Sequence, residues 1–257
     1  MMNSPIATTD DRVLGGRLLL RQPASGHRAG HDAILLAAAT SAQPGQRVVD
    51  FGAGVGTAGL AVAQRVAGVS LALVEIDPAF ADLARHNATA NGIPADVITL
   101  DLTSRADAFA AAGLPPDSAD VVLTNPPFNH PTRHRASPDK ARETAHVATV
   151  DTLPHWAHAA RRVLKPQGVL TLIWRADGIA DVLQALDRGF GAIALMPVHS
   201  EPAAPAIRLL VRAIKGGRAP VAIYPGIVLR GTDGAPDPHI QQVLAGQADI
   251  AWDKPRR

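Results

Sequence analysis

Apolar residues fall in short unbroken runs separated by stretches of helical period. "RVVDF" (Arg47 to Phe51), "VSLALVEI", "DVITL", "ADVVLTN" and "VLTLIW" each read as a buried strand. Between them, "TAGLAVAQRVAG", "PAFADLARHNATANG", "SRADAFAAAG" and "TLPHWAHAARRVLKPQG" read as helices. The second of these has Pro78 in its first turn and Gly92 past its end. A fifth helix, "GIADVLQALDRG", precedes "AIALMPV" and "AIRLLVRAI", which read as the last two strands. Continuous apolar strands alternating with helices predict a doubly wound α/β fold, its parallel sheet covered on both faces.

The ends carry additions. Val13 to Leu20 read as a short strand or hairpin bent at Gly15-Gly16. "PASGHRAGHDAILLAAAT" reads as a glycine-rich loop, then Asp32 as an N-cap, then an Ala/Leu helix. From Lys215 the chain is rich in Pro and Gly, with one helix near His239 to Leu244. The expected organisation is one domain over 1–257. It comprises a hairpin and closing segment (11–40), an α/β core (41–215) and a C-terminal extension (216–257).

Composition narrows the class. Hydrophobic residues make up 47% and charged residues 19%, as in a globular protein. Aromatics are 4%, so Ala, Val, Leu and Ile must fill the core. The net charge of +2 permits a nucleic-acid partner without arguing for one. No cysteine is present, which excludes disulfides, zinc-thiolate sites and cysteine nucleophiles, and agrees with a cytoplasmic location. "MMNSPIATTDDR" lacks the basic end and apolar stretch of a secretory signal, and "AILLAAA" is too short to span a membrane.

The strongest local motif is "VVDFGAGVGTAGLAVA". A strand ends at Asp50, glycines follow at 52, 54 and 56, and a helix begins. Three alternate glycines exceed what a turn needs and let backbone amides approach a ligand at a helix N-terminus. A phosphate-binding loop needs Lys then Ser/Thr after its last glycine, and neither is there. A dinucleotide fingerprint needs glycine where Thr57 stands. Asp50 would repel a pyrophosphate but suits a ligand carrying an ammonium group.

Carboxylates recur at the following strand ends. Glu75 lies 25 positions after Asp50, near the spacing of an acid on ribose hydroxyls. Asp77 is its rival and reads as the N-cap of the next helix. Asp101 closes "ITLDL", as a ligand contact or a cap. Strand C-termini are where doubly wound folds bind ligands.

"DFGAGVG" resembles the first motif of class I S-adenosylmethionine (SAM)-dependent methyltransferases, a Rossmann-like fold with an antiparallel last strand. In that family the residue matching Asp50 faces the methionine portion, and one at Asp101 accepts from the adenine amino group. The fourth strand then ends in "TNPPFN", similar to the (N/D)PP(Y/F) signature of methyltransferases acting on adenine, guanine or glutamine amides. The resemblance implies that Asn125 and the Pro126 carbonyl hold an amine while Phe128 stacks on its ring, with Pro127 completing the turn.

"LLLRQPASGHRAGHDAILLAAA" resembles the segment before the glycine loop in bacterial tRNA (adenine-N6) methyltransferases, which modify the adenine next to the anticodon of a valine tRNA. Gln22, Pro23, Gly26, Arg28, Asp32, Leu35 and Leu36 carry that likeness. The cofactor-binding set so implied is Arg28, Asp32, Asp50, Gly52, Ala53, Gly54, Glu75, Asp101, Leu102 and Asn125; the catalytic set is Asn125, Pro126, Pro127 and Phe128. The loop 129–146, with Arg133, Arg135, Lys140 and Arg142, is a candidate RNA contact. Methyl transfer to an RNA amine, adenine-N6 of a tRNA first, is the expected activity. Its rivals are rRNA guanine-N2, protein-glutamine and small-molecule methyltransferases, or a non-enzymatic binding module.

Overall fold

The computed structural model describes residues 7–25, 30–127 and 152–252. Arg28, Phe128 and the basic loop 129–146 lie outside them. A hairpin of β1 (Thr8–Val13) and β2 (Leu18–Pro23) comes first, followed by α1 (His31–Ala39). The core then runs β3 (Arg47–Phe51), α2 (Thr57–Arg65), β4 (Ser70–Glu75), α3 (Pro78–Ala90), β5 (Ala95–Thr99), α4 (Ala106–Ala111) and β6 (Ala119–Thr124). After it come α5 (Thr152–Val163), β7 (Leu164–Arg175), α6 (Ile179–Leu186), β8 (Phe190–His199) and β9 (Ala206–Lys215). Short β10 (Ala222–Ile223), β11 (Ile227–Val228) and α7 (Pro238–Leu244) close the described chain.

The main sheet has the order β10-β8-β9-β7-β6-β3-β4-β5, with β11 also paired to β8. Strands β3 to β7 are mutually parallel, and β9 is antiparallel to both β7 and β8. Side chains alternate between two cores. Val48 faces α1, α2 and the hairpin; Val49 and Phe51 face α4, α5 and α6. The chain leaves β3 for β4 on one side and returns as β6 on the other. That reversal opens a crevice at the strand C-termini.

Three local expectations change. The hairpin is longer than "VLGGRLLL", because Thr8 to Val13 pair residue by residue with Pro23 to Leu18. Gly30, not Asp32, occupies the N-cap of α1; Asp32 sits in the first turn, where its Oδ2 accepts from Arg208 Nε at 2.8 Å. Helix α5 does not continue through "LKPQG": Pro166 has no N–H to donate, and Leu164 instead pairs with Ala119 of β6.

The hairpin is held by a helix acting as a strand. Asn91 Oδ1 accepts from Leu19 N at 2.8 Å, and its Nδ2 donates to Leu19 O at 2.7 Å. One turn earlier, Asn87 Oδ1 accepts from Arg21 N at 2.7 Å and its Nδ2 donates to Arg21 O at 3.0 Å. Four helical residues rise about 6 Å and two strand residues about 6.8 Å, so the two repeats match. The C-terminal extension docks on α1: Trp252 Nε1 donates to Ala39 O at 2.7 Å, and Ile250 N to Ala38 O at 3.0 Å. Tyr224 meets the Trp252 ring edge-on and Arg212 lies over it.

Candidate functional site

Strand pairing sets out the crevice. Phe51 is level with Thr124 on one side and Val74 on the other, and Glu75 is level with Thr99. The next residues therefore stand in a row at the sheet edge: Asn125, Gly52, Glu75 with Ile76, then Asp101.

The glycine loop divides its work. At Gly52 (φ +66°) a Cβ would collide with the Trp156 ring of α5, meeting Cζ3 at 2.7 Å. At Gly56 (φ +90°) it would press on Leu60 and Leu73. Only at Gly54 (φ +56°) would it enter open space. Glycine at 52 and 56 thus serves internal packing, and Gly54 is the one that leaves room for a ligand. Ala53 is tied to β4 by its N–H, which donates to Val74 O at 3.0 Å.

Glu75 is fixed by the backbone around it. Its Oε2 accepts from Gly54 N at 2.7 Å, and its Oε1 accepts from Ile76 N and Asp77 N at 2.8 and 3.0 Å. Oε1 is thereby saturated, and Oε2 keeps one lone pair for a further donor. Asp77 caps α3 as expected, accepting from Ala79 N at 2.8 Å. Asp101 is exposed and holds a turn, its Oδ1 accepting from Thr103 N and Oγ1. Leu102 is buried in the core that also holds Phe51.

Asp50 lies apart from this row. It shares the face of Val48, is 2% exposed, and accepts from Gly59 N in α2 at 2.8 Å. Burial pushes its carboxyl up to about 7; the Gly59 bond opposes this and the Glu75 charge adds to it. A cation brought to the crevice would favour its ionised form.

Asn125 follows β6 with its Oδ1 buried and without a hydrogen-bond partner among the described residues. An orphaned buried acceptor costs free energy and points to a donor that the site is built to receive. Pro126 is buried and Pro127 exposed. Immediately before Asn125, Thr124 Oγ1 donates to Phe51 O at 2.9 Å, tying the Asn-Pro-Pro turn to the glycine loop. Among the described residues, no group of three or more His, Asp or Glu is placed to hold a metal ion. No described helix is long and apolar enough to cross a membrane.

Four residues of the site were not expected from the sequence. Ile76 is an apolar side chain left 60% exposed between two acids at the crevice. Thr124 and Trp156 act across the fold. Asn87, fully buried, adds to its strand contacts a bond from Nδ2 to Val55 O of the glycine loop at 2.9 Å. The signals were the i, i+4 asparagines of "HNATAN", the threonine before Asn-Pro-Pro, and the isoleucine in "VEID".

Open space at Gly54, a fixed carboxylate at Glu75 and an exposed apolar side chain at Ile76 fit SAM, and an acceptor at Asn125, unpaired among the described residues, stands beside them. Comparisons with known proteins agree. Residues 29–200 match the model of the methyltransferase small domain. A tRNA1(Val) (adenine(37)-N6)-methyltransferase of Porphyromonas gingivalis is 31% identical over 170 residues, covering 65% of this chain and 66% of that protein's length. The protein of the same name from Yersinia pestis is 26% identical over 220 residues, 85% of this chain and 86% of its own. A crystal structure described as a predicted O-methyltransferase from Agrobacterium tumefaciens superposes with a TM-score of 0.74 at 29% identity, over 87% of this chain and all of that one. The chain belongs to the methyltransferase small domain family, on the class I fold of SAM-dependent enzymes.

Proposed function

We propose that this protein transfers a methyl group from SAM to an exocyclic base amine in RNA, adenine-N6 of a tRNA, in the cytoplasm. The observation that carries the reading is the buried Oδ1 of Asn125 beside the glycine loop, unpaired among the described residues. The names of the Porphyromonas and Yersinia relatives favour adenine-N6. The cofactor supplies an electrophilic methyl on a sulfonium.

The chain's residues do the rest. A base amine is a poor nucleophile because its lone pair is delocalised into the ring. Asn125 Oδ1 accepts one of its N–H bonds and the Pro126 carbonyl the other, turning the lone pair toward the methyl. Pro126 and Pro127 fix the backbone of that turn. Phe128 offers a face for the ring of a flipped base. Glu75 accepts from a ribose hydroxyl through Oε2, Ile76 covers the adenine, and Asp101 and Leu102 border it. Gly52, Ala53 and Gly54 line the methionine side, over Asp50. Arg28 and Asp32 belong to the segment that closes over the cofactor. The basic loop 129–146 contacts the RNA phosphates. Rate comes from positioning, without a covalent enzyme intermediate.

Labelled-methyl transfer to total RNA, fractionated and digested to nucleosides, tests this. N6-methyladenine in the tRNA fraction is expected. N2-methylguanine in rRNA would replace the substrate, and label only in protein or small molecules would overturn the reading. Asn125→Ala should keep thermal stabilisation by SAM yet lose roughly 10²–10³-fold in rate.

A further inference from the structure

Trp156 stands where the glycine loop and the Asn-Pro-Pro turn meet. Its ring is pressed against Gly52 so closely that no side chain fits there. Gly52 follows Phe51, and Asn125 follows Thr124, the residue level with Phe51 in the neighbouring strand. On the other side of Gly52 is β4, which ends in Glu75. The Trp156 ring therefore sits at the boundary between the acceptor half of the crevice and the cofactor half.

Two facts place it with the acceptor. Helix α5 is the crossover from β6 to β7 and packs on β7 and α6, so it approaches Gly52 from the β6 side. The strands that carry Glu75 and Asp101 lie in the opposite direction along the sheet. The ring is also only partly buried, whereas Trp174 and Trp252 are each 7% exposed. A partly exposed aromatic side chain beside an amine-holding turn can serve as a stacking surface for a planar heterocycle, and stacking is tolerant of which base is offered.

We infer that Trp156 is a wall of the acceptor pocket, presenting an aromatic face to the base that receives the methyl. The inference rests on the nucleobase-acceptor reading above. It adds a binding residue that comes from α5, about thirty positions after the Asn-Pro-Pro turn in sequence.

Tryptophan emission tests it directly, because Trp156 is the partly exposed one of three. Wild-type protein is saturated with S-adenosylhomocysteine and then titrated with adenosine, a short oligoadenylate and unmodified tRNA. The expected result is quenching by the base-containing probes that disappears in Trp156→Phe, whose two remaining tryptophans are buried. In parallel, Trp156→Leu should raise the RNA KM by roughly ten- to hundredfold, the loss of one stacked base, with Phe restoring most of it. Affinity for S-adenosylhomocysteine should stay within about twofold in all three proteins, and a thermal melt establishes that each is folded. Quenching by S-adenosylhomocysteine alone, with its affinity lost in the Leu variant, would move Trp156 to the cofactor and overturn the inference. A wild type that methylates RNA without any change in emission would overturn it too. A wild type that methylates no RNA and binds no base-containing probe would sink the RNA reading itself.

Discussion

Asp50 Oδ2 and the backbone N–H of Gly59 meet at 2.8 Å inside the packed face between β3 and α2. Position 59 has no room for a side chain: a Cβ would meet Leu73 Cδ2 at 2.5 Å and Asp50 Oδ2 at 3.1 Å. Glycine inside a helix costs about 1 kcal/mol against alanine. Here it brings α2 close enough to satisfy a carboxyl that water cannot reach.

That burial gives a pH signature. The Asp50 carboxyl titrates near 7 in the folded chain, against 3.8 for the free group. The folded state therefore holds a proton that the unfolded state has already released. This contribution to stability is full below about pH 4, falls as pH rises toward 7, and is flat above. Urea unfolding followed from pH 4 to 8 should show that fall, and Asp50→Asn should remove it. Equal slopes in the two proteins would assign the dependence to another group.

The glycine loop separates fold from ligand. Gly52→Ala meets both a left-handed backbone and the Trp156 ring, so it should destabilise the protein by more than the about 1–2 kcal/mol of the backbone alone. Gly54→Ala pays only the backbone cost, because its Cβ points into open space, but should weaken SAM binding by tenfold or more. Thermal melts paired with titration calorimetry would show the two losses falling on different measurements. The same pattern at both positions would refute the division.

Asn87 links the hairpin to the glycine loop through three bonds from one buried side chain. Asn87→Ala should cost about 2–4 kcal/mol, since each buried backbone group left unpaired costs about 1–3 kcal/mol. The amide of Arg21 should then exchange with solvent at least tenfold faster. Asn91→Ala, nearer the surface, should cost less. Hydrogen exchange that leaves Arg21 as protected as before would mean the hairpin is held from elsewhere.

The strands and the row of residues at their ends were legible because a parallel sheet buried on both faces writes itself as continuous apolar runs. Asp77 could be read as a cap because cap and helix are adjacent in sequence. Asp32 could not: its partner Arg208 is 176 residues away, and a local reading sees only a helix start. Asp50, which precedes the glycines, suggests a ligand contact from its place in the sequence. The alternation that places it with Val48 sends its carboxyl under α2 instead. Gly52 looked like room for a cofactor, but Trp156 fills that side, and nothing near residue 52 announces it.

The paired asparagines of α3 have a consequence for the molecule among its copies. Strand β2 pairs with β1 on one edge only. A bare second edge would offer N–H and C=O groups of Leu19 and Arg21 to any extended chain that came near, the usual start of edge-to-edge aggregation. Asn87 and Asn91 occupy those groups. Two side chains thus cover an edge that would otherwise need another strand.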